Sequence, residues 1–186
     1  APSSFTTKEI DTSLFKHSKI FLTQLEIPTE VTLHCLKAAK EFGLINILNP
    51  APACELSSNF FKLVDYFTPN ETEAEFYTGI KINNENDAKV SAKKLINMGI
   101  KKVIITLGEK GLFYSDGKEE IYLKASSDIA VDTTGAGDAF VAGLISQLIS
   151  CGYPSNELEI QSCVRFASVC GLLTCKGVGA IEPQPD

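Results

Sequence analysis

The chain has 186 residues, 44% of them hydrophobic, and a formal net charge of −6. That length and apolar fraction suffice for one compact domain with a substantial core, so residues 1–186 read as a single domain. The acidic balance, with no basic stripe, argues against nucleic acid as a partner. No apolar run is long enough to span a bilayer, and the Ala1-Pro2-Ser3-Ser4 start has neither the basic residues nor the apolar stretch of a signal peptide.

Short apolar runs alternate with longer amphipathic stretches, the pattern of βα units and a largely parallel sheet. Residues 19–24 read as a strand. Residues 28–42 read as a helix, with Pro28 near its start and Gly43 just past its end. Residues 44–48 give the next strand, running into Asn49-Pro50-Ala51-Pro52, and residues 59–64 a short helix. Residues 66–68 form a strand leading to Pro69-Asn70. A helix over 71–77 ends at Gly79, and another over 86–97 stops at Met98-Gly99. Residues 102–106 are a buried strand, and 111–115 with 119–123 form a hairpin across Asp116-Gly117. Two long helices, 135–150 and 157–174, complete the chain. The expected sheet is mixed, with parallel strands and an antiparallel edge, and no internal repeat or low-complexity segment interrupts it.

The six cysteines, at positions 35, 54, 151, 163, 170 and 175, include no C-x-x-C pair, and only two histidines accompany them. A zinc site is therefore poorly supported. Cys163 and Cys170 share a helix face. The expectation for the set is buried small hydrophobes in a reducing cytoplasm. Neither His17 nor His34 has the partner that a catalytic thiol or base would need; His34 reads as a surface or half-buried side chain.

Chemistry concentrates in Asp132-Thr133-Thr134-Gly135-Ala136-Gly137-Asp138-Ala139-Phe140. Without side chains, Gly135 and Gly137 let the backbone approach a ligand closely. The apolar helix that follows begins with unpaired N–H groups and the positive end of its dipole, which together suit an anion. Asp138 enters the same first turn, where a carboxylate can act as general base toward a substrate hydroxyl. On these residues alone the segment reads either as such a site or as a tight turn with a helix cap. Two generic phosphate motifs fail: Phe140 stands where a dinucleotide fingerprint needs a small residue, and no G-K-[S/T] is present.

This segment resembles the C-terminal signature of the ribokinase/pfkB family of carbohydrate kinases. Leu48-Asn49-Pro50-Ala51-Pro52-Ala53, Thr68-Pro69-Asn70-Glu71-Thr72-Glu73-Ala74-Glu75 and Thr106-Leu107-Gly108-Glu109-Lys110-Gly111 resemble family segments in the same order, as does Gln24-Leu25-Glu26. The resemblance implies a three-layer αβα, Rossmann-like fold with a mixed, mostly parallel sheet. It implies an ATP-dependent kinase that phosphorylates the primary 5-hydroxyl of a small sugar, D-ribose first among candidates. Asp138 would be the base, and the backbone of Gly135, Ala136 and Gly137 the anion hole. Asp132 and Glu26 would meet the sugar, and Asn70 and Glu73 would place Mg²⁺ and the phosphates through water. Thr106, Gly108 and Gly111 would line the nucleotide. Taken singly, Glu73 reads equally as an exposed helix acid, the two glycines as an ordinary turn, and Glu26 as a strand-end acid.

A monovalent cation, potassium, would be held near Asp132, Thr134, Leu172, Cys175 and Gly177. The chain departs from the family pattern at Ile181, where a hydroxyl is usual, and at Phe166, which stands where Asn or His often sits beside adenine. Phe166 reads either as an apolar face for adenine or as core. The family's N-terminal sugar clamp, Gly-Gly-x-x-x-Asn segment and β-sheet lid have no counterpart here. The resemblance also implies a homodimer for a full-length form. For this chain it leaves three readings: part of an active sugar kinase, for ribose or another small sugar; a non-catalytic nucleotide-binding module; or a piece that self-associates through an uncovered sheet edge.

Overall fold

The alternation read from the sequence recurs in the structure, a computed structural model that describes residues 6–125, 130–154 and 156–185. The Ala1–Ser4 start lies outside those residues. In chain order come β1 (Ile20–Thr23), α1 (Thr29–Glu41), β2 (Ile45–Leu48), α2 (Ser58–Phe61), β3 (Tyr66–Phe67), α3 (Glu71–Thr78), α4 (Glu85–Asn97), β4 (Lys102–Thr106), β5 (Leu112–Ser115), β6 (Glu120–Leu123), α5 (Ala136–Ser150) and α6 (Glu157–Thr174). Three short 3-10 turns, at Thr7–Glu9, Thr12–His17 and Gly108–Lys110, fall where no element was expected. None of them buries a residue, so none leaves a periodic apolar trace to read.

The strands form one six-stranded sheet in chain order. β1 to β4 pair in parallel, with Ile20 beside Ile45, Ile47 beside Tyr66, and Tyr66 beside Lys102. β5 and β6 are neighbours joined by a turn that Asp116 N–H closes onto the Glu119 carbonyl at 3.3 Å. The sheet is thus mixed and mostly parallel, as the α/β pattern requires. In β4, Val103, Ile104 and Ile105 are all buried. An apolar run without alternation is what a strand covered on both faces needs.

The residues group into two compact units, 1–107 with 113–120, and 108–112 with 121–186. In the first, α1 buries Val31, Cys35, Leu36, Ala38 and Ala39 along one face, and α4 does the same with Ala88, Ala92 and Leu95. Phe61, Phe67 and Tyr77 meet edge to face, with centroids 5.5 to 6.2 Å apart. The N-termini of α3 and α4 are capped by Asn70 and Asn84, whose side-chain oxygens accept from Glu73 and Asp87 N–H. In the second unit α5 packs along α6, burying Phe140, Val141, Leu144 and Leu148 on one helix and Ile160, Cys163, Val164 and Ala167 on the other.

A buried carboxylate holds the amino ends of the parallel strands. Asp65, 8% exposed, directly precedes β3. Its carboxylate accepts from Lys40 Nζ of α1 at 2.7 Å, from Lys101 Nζ ahead of β4 at 2.7 Å, and from Asn46 N–H of β2 at 2.9 Å. Burial by itself would push the Asp65 carboxyl up; the hydrogen bonds from Lys101, Lys40 and Asn46 outweigh it and hold the group below the usual carboxylate range. A carboxyl whose folded pKa is depressed stabilises the fold above its unfolded pKa, and that contribution disappears as pH falls through the folded value. Asp65→Ala should cost roughly 2–3 kcal/mol at neutral pH, the scale of a hydrogen-bonded charged group whose loss leaves a buried N–H unpaired. Urea unfolding of both forms checks this. The gap should close as the pH is taken below the carboxylate range, and a gap that stays constant with pH would exclude the charge as its source.

Candidate active site

Within the first unit, backbone hydrogen bonds continue past the strands' carboxyl ends. Asn49 N–H reaches the Thr23 carbonyl at 3.0 Å and Leu25 N–H the Ala51 carbonyl at 2.9 Å. Thr68 N–H reaches the Leu48 carbonyl at 3.1 Å, and Thr106 N–H the Pro69 carbonyl at 2.9 Å. The strands therefore deliver Glu26, Asn49, Asn70 and Thr106 to one edge of the sheet, the edge at which α/β sheets bind ligands. Glu26 is exposed there. Asn70 pairs with Thr106 as an isolated bridge, so these two predicted nucleotide residues are adjacent.

Asn70 and Glu73 form a reciprocal capping box. Asn70 Oδ1 accepts from Glu73 N–H at 2.8 Å, and Glu73 Oε2 accepts from Asn70 N–H at 2.9 Å. Partial burial raises the Glu73 carboxyl, against the lowering effect of the Asn70 N–H. Thr68, 5% exposed, sits just before this box, and its hydroxyl is buried with no partner among the described residues. A threonine at a strand end carries no pattern that distinguishes it in the sequence.

In the second unit, the Asp132–Asp138 segment folds as a loop and a helix start. The N-cap of α5 is Gly135, at φ 79°. A Cβ there would stand 2.9 Å from the Ala180 carbonyl oxygen and 3.2 Å from its Cα, so both conformation and space require glycine. A glycine N-cap has no side chain to spend on the first-turn N–H groups. Gly137 differs: its φ is unexceptional and an added Cβ would meet nothing within 4 Å. Asp138 is exposed in that first turn.

Asp132 is committed to the loop. One carboxylate oxygen accepts from Thr134 N–H at 2.9 Å and from the Thr134 hydroxyl at 2.7 Å; the other accepts from Gly179 N–H at 3.0 Å. The Gly179 N–H, then the two Thr134 donors, lower the Asp132 carboxyl to about 2. The Cys175 carbonyl accepts from Val131 N–H at 2.7 Å and from Asp132 N–H at 3.3 Å, and the Leu172 carbonyl accepts from Cys175 N–H at 3.1 Å. The positions named for a monovalent cation, Asp132, Thr134, Leu172, Cys175 and Gly177, thus lie in or beside two segments tied to each other. Gly179 and Ala180, which complete the tie, were not foreseen, because their partners are distant in sequence.

Gly111 has a structural reason of its own. It sits at φ 110°, and a Cβ would overlap the Leu123 carbonyl oxygen and stand 2.7 Å from Ala125 N. At Gly108 the added atom would meet nothing. Phe166 is 44% exposed on α6, so it is not the core residue that was one reading of it. Among the described residues no group of three or more His, Cys, Asp or Glu side chains is placed to hold a metal, and no helix is long and apolar enough to cross a membrane.

The description of the pfkB family carbohydrate kinases matches residues 7–186. The chain belongs to the pfkB family of carbohydrate kinases. It is similar to a ribokinase of Staphylococcus aureus, 39% identical over 164 residues that make up 88% of this chain and 52% of that one. It is also similar to a deoxyribokinase of Salmonella typhi, 34% identical over 91% of this chain and 54% of that one. The solved structure of Arabidopsis thaliana ribokinase complexed with ribose and ATP superimposes with a TM-score of 0.86 at 28% identity, over all of this chain and 58% of that one. This pfkB-family chain spans about half the length of the curated relatives it matches.

The two glycines of the pfkB segment should separate in a stability measurement. Gly135→Ala should lose about 1–2 kcal/mol from the left-handed conformation alone, and more from contact with Ala180. Gly137→Ala should lose nothing, since alanine is favoured over glycine in a helix by up to about 1 kcal/mol. Thermal unfolding of the two variants checks the order, and equal losses would contradict the geometry.

Proposed function

We propose that the protein is an ATP-dependent sugar kinase acting on the primary 5-hydroxyl of D-ribose. The observation that carries the reading is the start of α5: an exposed Asp138 carboxylate one residue from Gly137, a glycine that neither backbone conformation nor packing demands. A residue kept bare without an internal reason suits a ligand that must come close. In this mechanism Asp138 takes the proton from the sugar hydroxyl as its oxygen attacks the γ-phosphorus. The bond from that phosphorus to the ADP oxygen breaks, and ADP leaves with the bonding pair. The N–H groups around Gly135, Ala136 and Gly137, at the positive end of the helix dipole, offset the charge on the transferring group.

The other assignments fit around that centre. Asp132 is spent on Thr134 and Gly179, so its first task is to hold the loop that presents Gly135. Phe166 offers an exposed apolar face that suits adenine. Glu26, at the end of β1, is the acid assigned to the sugar, and Thr106, Gly108 and Gly111 are assigned to the nucleotide. Glu73 keeps an oxygen beyond its bond to Asn70 N–H, which suits an Mg²⁺ held largely by water and phosphate. That ion would neutralise phosphate charge during transfer. The Asp132 oxygen that accepts from Gly179 N–H retains a second lone pair, so the tied segments can also offer an oxygen to a potassium ion. Ribose is preferred over other small sugars because ribokinases recur among the relatives; a deoxyribokinase is among them too.

Calorimetric titration with Mg-ATP, with and without D-ribose, and ADP release followed in the same samples, tests the reading. ADP release that depends on ribose is expected. ATP binding without it would make this chain a nucleotide-binding module only. Asp138→Asn should keep nucleotide affinity and lower ribose-dependent turnover by about 10²–10⁴-fold, the scale of general-base catalysis; a near-full rate would remove Asp138 from that role. β1 is an edge strand, and its Leu22 is 43% exposed. Unpaired edges recruit other strands, so the chain on its own should associate as concentration rises, and a monomer throughout a sedimentation series would refute that.

A further inference from the structure

α5 and α6 approach closely enough to fix which residues face each other. A Cβ added at Gly143 would stand 2.8 Å from Cys170 Sγ and 3.1 Å from Ala167 Cα, and one added at Gly171 would stand 3.6 Å from Phe140 Cβ. As the number rises along α5 it falls along α6, so the helices run antiparallel. About two turns beyond Gly143, at roughly 3.6 residues per turn, α5 ends at its C-cap, Cys151. About two turns back from Cys170 along α6 lies Cys163. The register therefore brings Cys151 to the level of Cys163, and the Cys151 thiol is near enough to act on that of Cys163.

Their surroundings differ. Cys163 is fully buried, whereas Cys151 is exposed, with its thiol 3.7 Å from Gln147 Oε1. The expectation of uniformly buried, inert cysteines fails at Cys151 because it falls in the cap, past the apolar stripe of α5. Burial, with the neighbouring Cys151 as a lesser cause, pushes the Cys163 thiol up to about 11. A soluble reagent meets Cys151 and not Cys163.

We propose that Cys151 and Cys163 are an oxidisable dithiol, closed to an intramolecular disulfide by a small-molecule disulfide such as oxidised glutathione. Cys151 loses its proton and its sulfur attacks the reagent; the reagent's S–S bond breaks and one thiol leaves, carrying a proton. Cys163 then loses its proton and attacks the Cys151 sulfur of the mixed disulfide, and the second thiol leaves. One reagent disulfide is reduced to two thiols while two protein thiols are oxidised to one disulfide. The new bond ties the C-terminal end of α5 to the second turn of α6, at the end of α5 away from Asp138.

The whole chain incubated with oxidised glutathione, then unfolded, alkylated and digested, tests this. No Lys or Arg lies between Lys124 and Arg165, so trypsin leaves both cysteines in one peptide, separate from Cys170 and Cys175. That peptide should escape alkylation and have lost two hydrogens, and cleavage after Glu157 or Glu159 should leave its halves linked until reduced. Glutathione retained on Cys151, two alkylated cysteines, or a link from Cys163 to Cys170 would each overturn the proposal. Cys151→Ser changes an exposed position and should fold; in it Cys163 should be recovered fully alkylated, and an oxidised Cys163 there would equally overturn the pairing.

Discussion

The buried carboxylate of Asp65 is the constraint on which the first unit's geometry rests. β3 is only two residues long, so its ladder gives few hydrogen bonds to fix register against β2 and β4. A slip of one residue would turn every side chain to the opposite face. Asp65, immediately ahead of β3, removes that freedom by binding a backbone N–H of β2, a lysine of α1 and a lysine entering β4. Removing one partner of a buried pair leaves the others uncompensated, so the three contacts hold or fail as a group. With the amino ends set in this way, parallel strands deliver Asn49, Asn70 and Thr106 together at the carboxyl edge.

In the second unit the corresponding constraint is Asp132. It lies far in sequence from Gly179, yet one carboxylate closes both its own turn and the loop after α6. That closure brings Ala180 against Gly135 and makes glycine obligatory there. The same segment thus contains residues of two kinds. Asp132 and Gly135 are explained by how the chain holds itself. Gly137 is not: neither its backbone conformation nor the space around it calls for a bare residue, which suits the ligand proposed for it.

Much of this was legible beforehand, for identifiable reasons. Apolar periodicity located the six strands and the long helices, and Gly43 and Gly79 marked helix ends that the structure finishes in left-handed turns. The 3-10 turns before β1 were not legible, because they bury nothing. The role of Gly111 was half legible: its pattern suggested room for a nucleotide, whereas the structure adds the Leu123 and Ala125 backbone pressed against it. The partners of Asp132 were illegible for a different reason. A carboxylate that bonds backbone N–H groups leaves no complementary side chain in the sequence to point to.

Asn70 and Glu73 combine these two kinds of residue in one pair. As a capping box they satisfy two donors at the start of α3, which is reason enough for Asn and Glu at that spacing in any helix. The box spends one Glu73 oxygen and the Asn70 carbonyl oxygen, but not the Asn70 amide nitrogen or the second Glu73 oxygen. The spent atoms fix the side chains in place; the remaining ones are then a donor and an acceptor with restricted orientations at the edge where β3 and β4 end. Glu73 is also partly desolvated, so a cation or a hydrated cation nearby would lower a carboxyl that burial has raised. The cap that starts the helix is therefore also what makes its leftover atoms suitable for binding, and the structural and functional explanations of this motif do not compete.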